Sequence, residues 1–440
     1  MNRGGTISGS AGLLRDRIAR HCAGFEAGGA VGVTSICSAH PLVLSAAMRH
    51  AARTRQPLLL VEATCNQVNQ HGGYTGMAPA DFRAMVEAIA ARTGYPPERL
   101  VLGGDHLGPN PWTARPAAAA MAEAEAMVIA YVAAGFAKIH LDCSMACADD
   151  PPVLPDAEIA SRAVRLCRAA EAAWTGDPAD APAYIIGTEV PVPGGATAAL
   201  GELAVTSPDA ARATLAMHRE LFAAAGLADA WRRVIGLVVQ PGVEFDHDRV
   251  VDYRPDQARA LSAAIEAEPG IVYEAHSTDY QTAPALAALV RDHFAILKVG
   301  PGLTFALREA LWALDTIERE TVGPDRRAGL RDVALARMHA DPRHWRAYYG
   351  ATGEALDRQL QYSLSDRIRY YWPDPAIAAA QQKLFANLRD RPPPLAQLSQ
   401  YLPSAYAAVR AGTAANDPVA LVEAHVAAVL DDYGRACGNG

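Results

Sequence analysis

A short apolar run followed by a longer alanine-rich stretch recurs eight times in the first 320 or so residues of the chain. The short runs are typical of buried strands, and the longer stretches have helical spacing. The predicted strands are Val31–Ile36, Leu58–Glu62, Leu100–Gly103, Lys138–Leu141, Tyr184–Thr188, Val234–Val239, Ile271–Glu274 and Ile296–Val299. Alternating strands and helices form a parallel sheet, and eight such units close into a barrel. The sequence therefore predicts an α/β fold, a (β/α)8 TIM barrel, over residues 17–322.

Two regions flank the predicted barrel. Residues 1–16 begin with a Gly- and Ser-rich segment and lack the apolar core of a signal peptide, so we expect a disordered lead-in. Beyond residue 322 the alternation of strands and helices stops. Residues 323–440 are predicted to form a helical C-terminal region, with aromatic-rich connections such as Tyr370–Pro373, that packs on the barrel.

The amino-acid composition limits which binding partners and which cellular compartment we expect for this protein. The formal net charge of -8 argues against nucleic acid or an anionic membrane as partner, since both need a basic surface. No apolar run approaches the roughly 18 residues of a membrane span. The seven cysteines are scattered and odd in number, which fits reduced thiols. We therefore expect a cytoplasmic protein.

Polar residues follow each predicted strand directly. In an α/β barrel the carboxyl ends of all strands meet at one rim, where the active site lies. In the fourth strand Lys138, His140 and Asp142 alternate with apolar residues, so the three polar side chains share the face toward the barrel interior. The other polar residues at the strand ends are Ser38, His40, Glu62, Asn66, Asn69, Asp105, His106, Asn110, Glu189, Gln240, Glu244, Glu274, His276, Asp279 and Lys298. This concentration of polar groups predicts a functional site.

Three of these histidines are candidate metal ligands. His106, His140 and His276, with Glu189 and Asp142 as carboxylate candidates, form a set that suits a divalent ion. Zinc is the favoured ion, because catalytic zinc sites combine three protein ligands with an open position. The alternative is that the histidines only pack and form hydrogen bonds.

Three carboxylates, Asp105, Glu189 and Asp142, are candidates for catalysis. Asp105 is foremost because it adjoins His106 in Gly103–Asn110, whose glycines let the backbone approach a ligand closely. Its carboxylate could act as a general base while the neighbouring imidazole binds the metal. The alternative is that Asp105 caps the loop.

A phosphate site is predicted after the last barrel strand. The turn that contains Gly300, Gly302 and Thr304 opens a helix, and N–H groups at a helix N-terminus can bind phosphate. Another glycine-rich segment, Gly194–Gly195, is interpreted as a flexible loop over the site. Further candidate contacts to a phosphorylated substrate are Asn66, Asn110, Lys298 and Arg367.

Lysine is scarce in this chain. Only Lys138, Lys298 and Lys383 occur among its forty basic residues, which suggests that lysine is kept where a bulkier guanidinium does not serve. Lys298 or Lys138 could form a Schiff base, or could neutralise interior carboxylates as a buried ammonium. Arg367 and Arg369 could clamp a phosphate, or could only pack between the C-terminal region and the barrel.

Together these segments resemble the GatZ/KbaZ family. The resemblance extends from about Arg17 onward and rests on long motifs, which are highly specific. They are Cys37–Pro41, Glu62–Gln70, Gly72–Met77, Gly103–Asn110, Lys138–Asp142, Gly187–Gly195, Val239–His247, Tyr273–Gln281, Arg291–Gly300 and Tyr362–Pro373.

The resemblance implies a role in sugar metabolism. Family members are described as the non-catalytic Z subunit of class II D-tagatose-1,6-bisphosphate aldolase, which supports the catalytic Y subunit in galactitol or N-acetylgalactosamine catabolism. Some members have been described as tagatose-6-phosphate kinases, but the sequence contains no P-loop motif. Related proteins are regarded as metal-dependent epimerases that act at C4 of ketohexoses or their phosphates.

A more distant similarity to catalytic class II aldolases adds detail. Their Asp-His pair after the third strand is matched by Asp105–His106, and their histidine after strand seven is matched by His276. Strand six ends in Val239–Gly242 and supplies no histidine ligand, unless His247 reaches back. The glycine-rich phosphate loop after strand seven is replaced by Ser277–Tyr280. These departures argue against aldol cleavage by this chain.

Two hypotheses from different functional classes follow. In the first, the chain is an accessory subunit that stabilises a separate aldolase, with the Y subunit as partner. In the second, it is a metal-dependent retro-aldol epimerase at C4 of tagatose 6-phosphate, fructose 6-phosphate or a related ketohexose. A ketohexose phosphate is the expected ligand, and a homo-oligomer is compatible with either hypothesis.

Overall fold

Eight parallel strands close into a barrel in the computed structural model, which describes residues 9–24, 30–190 and 203–439. The strands are β1 (Val33–Ile36), β2 (Leu59–Thr64), β3 (Leu100–Leu107), β4 (Lys138–Leu141), β5 (Ala183–Ile186), β6 (Val234–Val239), β7 (Glu244–Phe245), β8 (Val250–Val251), β9 (Val272–Ala275) and β10 (Phe294–Val299). β7 and β8 form a small antiparallel hairpin, and the other eight form the barrel. β1 pairs with both β2 and β10, and these pairings close the barrel. The predicted (β/α)8 fold is confirmed.

Helices follow each barrel strand and extend beyond the barrel. Within the described residues they are α1 (Ser10–Gly24), α2 (Pro41–Arg53), α3 (Pro79–Thr93), α4 (Ala117–Ala133), α5 (Asp156–Ala173), α6 (Pro208–Ala224), α7 (Ala228–Trp231), α8 (Pro255–Ile265), α9 (Ala283–Arg291), α10 (Pro301–Thr321), α11 (Leu330–Ala340), α12 (Gly353–Tyr362), α13 (Pro375–Asp390), α14 (Leu395–Tyr401), α15 (Pro403–Arg410) and α16 (Pro418–Ala436). Many begin with proline, whose fixed φ and missing N–H suit the first turn. None of the described helices is both long enough and apolar enough to span a bilayer.

Helix α1 contributes to the apolar core inside the barrel. Its side chains Leu14 and Ile18 are buried in one cluster with strand residues such as Leu60 and Val101. The N–H groups of residues 11 and 12 donate to Oδ1 of Asp180, at 2.9 and 3.2 Å. The expectation of disorder over residues 1–16 is therefore wrong for residues 10–16, because their apolar side chains have a core to pack into. Residues 1–8 lie outside the described residues.

Helices α11 to α16 make up most of the described C-terminal region. α16 packs against α2, α9 and α10, and Trp372 meets Trp312 of α10 edge-to-face, with ring centroids 6.0 Å apart. The carbonyl of Cys437 accepts a hydrogen bond from the N–H of Gly32 at 3.1 Å. The C-terminal region thus contacts the barrel at several points and supplies walls near the strand ends.

Candidate functional site

Four ligand-type side chains meet inside the barrel. Asp105 of β3, His140 of β4, Glu274 of β9 and His276 directly after β9 each offer one atom, and these atoms lie within 4.8 Å of one another. All four residues are buried. Two imidazoles and two carboxylates form a donor set that suits a divalent ion.

An orphaned nitrogen supports this fit. Nε2 of His140 is buried and has no hydrogen-bond partner among the described residues. Buried polar atoms are nearly always paired, so an atom of this kind needs an explanation, such as a coordinated ion. The cluster is therefore compatible with a metal.

The cluster differs from the ligand set predicted from the sequence. His140 and His276 belong to it, but His106 lies beside it, with Nδ1 2.7 Å from Oδ2 of Asp142. Glu189 is exposed and accepts a hydrogen bond from the hydroxyl of Thr206, so it is not a member either. The two carboxylates of the group are Asp105, which the sequence suggested as a base, and Glu274, which the sequence places at the rim without marking it as a ligand.

Two buried lysines neutralise the carboxylates around the cluster. Nζ of Lys138 lies 2.8 Å from Oε2 of both Glu62 and Glu274. Nζ of Lys298 lies 2.7 Å from Oδ1 of Asp105 and 3.1 Å from Oε2 of Glu62. Burial lowers the pKa of Lys298, but the neighbouring negative charges outweigh burial and hold the pKa well above its ordinary value. A charged amine is not a nucleophile, so these contacts favour the buried-ammonium interpretation over a Schiff base.

The pKa values of His106 and His276 shift in opposite directions. Burial lowers the pKa of His106, but Asp105 and Asp142 outweigh burial and raise the pKa. Burial lowers the pKa of His276 to about 3, so this ring stays neutral and can donate a lone pair. Asp142 accepts from the Ser144 hydroxyl at 2.6 Å as well as contacting His106. The candidate catalytic carboxylate Asp142 thus orients His106 and, together with Asp105, raises its pKa.

An open cleft lies over the cluster at the strand ends. Its empty volume is about 620 Å³, and its walls include Asn66, Asp105, His106, His276 and Lys298. The predicted contacts Asn66 and Lys298 therefore reach the site. Asn110 is not among the lining residues, and its amide lies 3.9 Å from Sγ of Cys65.

The predicted phosphate turn is already occupied by a side chain. The N–H groups of Gly300 and Gly302 both donate to Oδ1 of Asp279, at 2.9 and 2.7 Å. The hydroxyl of Thr304 donates to Oδ2 of Asp366 at 2.7 Å. This corrects the prediction of a phosphate site at the turn, because a carboxylate already satisfies the donors that a phosphate would need.

Of the two neighbouring arginines, Arg367 packs against an aromatic ring and Arg369 lines the cleft. The guanidinium of Arg367 stacks on Tyr348, 3.4 Å from the ring centroid, and is buried away from the cleft, so its selection as a phosphate contact is corrected. Arg369 lines the cleft instead. His247 lies 2.9 Å from the carbonyl of Tyr348 and is not part of the ligand cluster. The predicted loop at Gly194–Gly195 lies outside the described residues.

We expect Asp279 to make stability depend on pH. Burial raises the pKa of this carboxyl to about 6, above its unfolded value of about 4. The folded state therefore binds more protons between these values, and stability should fall as pH rises from about 4 to above 6, by up to about 3 kcal/mol. Asp279→Asn keeps an oxygen that can accept hydrogen bonds from both glycines. Because the amide does not titrate in this range, the variant should lack this part of the dependence of stability on pH. Urea unfolding of both proteins from pH 4 to 7 measures the free energy of unfolding. The same pH dependence in wild type and variant would contradict the expectation.

Comparison with known proteins gives one extensive family match. Residues 16–438 match the family described as D-tagatose-1,6-bisphosphate aldolase subunit GatZ/KbaZ-like. A crystal structure from Sinorhizobium meliloti 1021, described as a probable tagatose 6 phosphate kinase, is 51% identical with a TM-score of 0.85, covering 92% of this chain and 100% of that chain. The resemblance predicted from the sequence is confirmed.

Other solved structures are more distant. A fructose-bisphosphate aldolase from Campylobacter jejuni is 12% identical with a TM-score of 0.47, covering 87% of this chain and 94% of that chain. A fructuronate-tagaturonate epimerase from Cohnella laeviribosi is 14% identical with a TM-score of 0.47, covering 92% of this chain and 82% of that chain. Similarities at this level carry no argument about function.

Proposed function

The chain belongs to the GatZ/KbaZ-like family of D-tagatose-1,6-bisphosphate aldolase subunits, and on that premise we propose that it is an accessory subunit. In this role it stabilises a separate catalytic Y subunit in the cytoplasm, in the catabolism of tagatose 6-phosphate that derives from galactitol or N-acetylgalactosamine. The observation that carries the proposal is the family match over residues 16–438.

The geometry of the rim supports a non-catalytic role. Asp279 occupies the N–H groups of Gly300 and Gly302, which removes a phosphate-binding turn from the barrel. Asp105, the foremost candidate base, is neutralised by Lys298 at 2.7 Å. The pKa of Asp105 is raised by burial, but the charges of His106 and Lys298 outweigh burial and hold it well below its usual range, so it is a weak base.

The cleft is proposed to bind a ketohexose phosphate. Arg369 lines the cleft, where its guanidinium donates to the carbonyls of Ser365 and Asp366 and to the hydroxyl of Tyr370, and its fixed positive charge suits the phosphoryl group. Asn66 and His106 line the same cleft and can hydrogen-bond sugar hydroxyls. Asp105, His140, Glu274 and His276 would hold a divalent ion, and this ion would polarise a sugar oxygen.

A metal-dependent C4 epimerase is the second candidate. The observation in its favour is that Asp105 and His276 belong to the ligand cluster and also line the open cleft, where a substrate can reach them. A subunit that only stabilises a partner does not need this access. The sugar phosphate kinase activity attached to the Sinorhizobium protein is not part of the proposal, since the present sequence has no P-loop.

The substitution Asp105→Asn separates the two candidates. For an accessory subunit, we expect the variant to support the activity and stability of the Y subunit as well as wild type does, because a buried isosteric change leaves the outer surface intact. The measurement is aldolase activity of the reconstituted pair, with the exposed substitution Asp209→Asn as control.

The same proteins are then incubated alone with isotope-labelled tagatose 6-phosphate and a divalent metal. The accessory role predicts that neither wild type nor Asp105→Asn inverts the configuration at C4. Turnover by wild type, reduced roughly 100- to 10,000-fold in Asp105→Asn, would replace the accessory role by the epimerase.

A further inference from the structure

A second cavity adjoins the cleft on the side of the C-terminal region. Its empty volume is about 1230 Å³, and it is bounded by the start of α2, the loop before α3 and one face of α13. The cavity and the cleft share six lining residues, which are Cys37, Gln67, Tyr74, Gly300, Pro301 and Arg369. The two spaces therefore meet at Arg369, so a ligand in the cleft can extend past this residue.

Charge in the second cavity is confined to this junction. Arg369 is the one charged side chain among the described residues that line it, and no carboxylate does so. His40 also lines the cavity, but burial lowers its pKa to about 4 and leaves the ring neutral at pH 7. Arg369 forms no ion pair within 4.0 Å among the described residues, but its guanidinium donates to the carbonyls of Ser365 and Asp366 and to the hydroxyl of Tyr370, and Asp279 lines the adjoining cleft. As the one lining cation of the second cavity, its guanidinium favours an anionic group at the junction.

The remainder of the cavity suits an uncharged group. Met77, Met85 and Trp372 supply apolar surface, and Gln381 and Gln382 supply amides that can both donate and accept hydrogen bonds. A second anionic group placed here would be desolvated without a cationic partner, which is unfavourable. This lining therefore selects against the second phosphate of a sugar bisphosphate.

A flat ring with a hydrogen-bonding edge fits this lining. Nδ1 of His40 accepts from the N–H of Leu42 at 3.2 Å, so the neutral ring carries its proton on Nε2 and is a donor. Binding sites of this kind combine predominantly apolar walls with a few polar groups that fix orientation.

The geometry points to a ligand longer than a ketohexose phosphate, namely a sugar joined through phosphoryl groups to an uncharged heterocycle, as in a nucleoside diphosphate sugar. The sugar lies in the cleft, the phosphoryl groups lie at Arg369, and the heterocycle lies in the second cavity. This placement rests on the proposed sugar-phosphate site for its first part only. The heterocycle site depends on the second cavity alone.

The test is calorimetric titration of the full chain with uridine diphosphate galactose and with fructose 6-phosphate. Ala378→Trp places a large ring on one of the three α13 residues that line the second cavity. Its matched control is Ala379→Trp, because residue 379 is exposed on the same helix and is not a lining residue. We expect Ala378→Trp to lower the affinity for uridine diphosphate galactose at least tenfold. Its affinity for fructose 6-phosphate should stay within twofold of that of wild type. Ala379→Trp should change neither.

Each other result has a definite meaning. No binding of uridine diphosphate galactose to wild type, or equal binding to wild type and Ala378→Trp, overturns the inference. If wild type binds uridine diphosphate galactose but not fructose 6-phosphate, the proposed sugar-phosphate site is refuted and the heterocycle site in the second cavity is still supported. Should Ala378→Trp melt well below wild type, Gln381→Ala provides the measurement without added volume, and unchanged affinity for uridine diphosphate galactose in that variant overturns the inference.

Discussion

Replacing Lys138 with methionine should lower the free energy of unfolding by about 3–5 kcal/mol. Its ammonium lies 2.8 Å from carboxylate oxygens of both Glu62 and Glu274, and none of the three side chains is exposed to solvent. Removal of the cation leaves two buried carboxylates less compensated, and this cost is much larger than the loss of a surface ion pair. Equilibrium unfolding in urea at pH 7 gives the change directly.

Lys383→Met is the matched control for this measurement. Lys383 is exposed and its Nζ donates to the carbonyl of Arg327 at 2.7 Å, so the same substitution there should change stability by less than about 0.5 kcal/mol. Equal effects at the two positions would mean that the Lys138 ion pairs contribute no more than a surface contact does.

Substitution of His140 should weaken zinc binding far more than substitution of His106. His140 belongs to the four-residue ligand group, whereas His106 lies next to it and contacts Asp142. Loss of an outer residue typically costs 10- to 100-fold in metal affinity, so we expect this range for His106→Ala and more than about 100-fold for His140→Ala.

Equilibrium dialysis with zinc and elemental analysis measures both affinities, with near-ultraviolet circular dichroism as the check on folding. A larger loss in His106→Ala than in His140→Ala would make His106 a ligand, as the sequence predicts. Wild-type protein that binds no zinc at saturation would contradict the metal site as a whole.

Local pattern was sufficient to predict the barrel and part of its site. The strand positions follow from short apolar runs, and the inward direction of Lys138 and His140 follows from period-two alternation. The same alternation places Glu274 and His276 on one face, so Glu274 could have been selected as a ligand by the rule already applied to β4. Glu189 directly follows a strand in the sequence, but this position does not determine where its side chain points.

Contacts between distant segments could not be predicted in this way. Asp279 binds N–H groups more than twenty positions later in the chain, and no local pattern indicates this. The separate roles of Arg367 and Arg369 depend on a short helical turn that begins after Asp366, whose φ is 45°. The packing of Leu14 and Ile18 of α1 likewise depends on a core of strand residues that only the closed sheet brings together.

The burial of two of the three lysines makes amine chemistry selective in this protein. Lys138 and Lys298 are inside the barrel, while Lys383 projects from α13, the helix that also carries Ala378 and Gln381. Among the described side chains, an amine-reactive dye or cross-linker would therefore modify one position on the helix that borders the second cavity. Immobilisation through this amine would orient every molecule alike on a sensor surface, and cross-links to another subunit through described lysines would all originate from this helix.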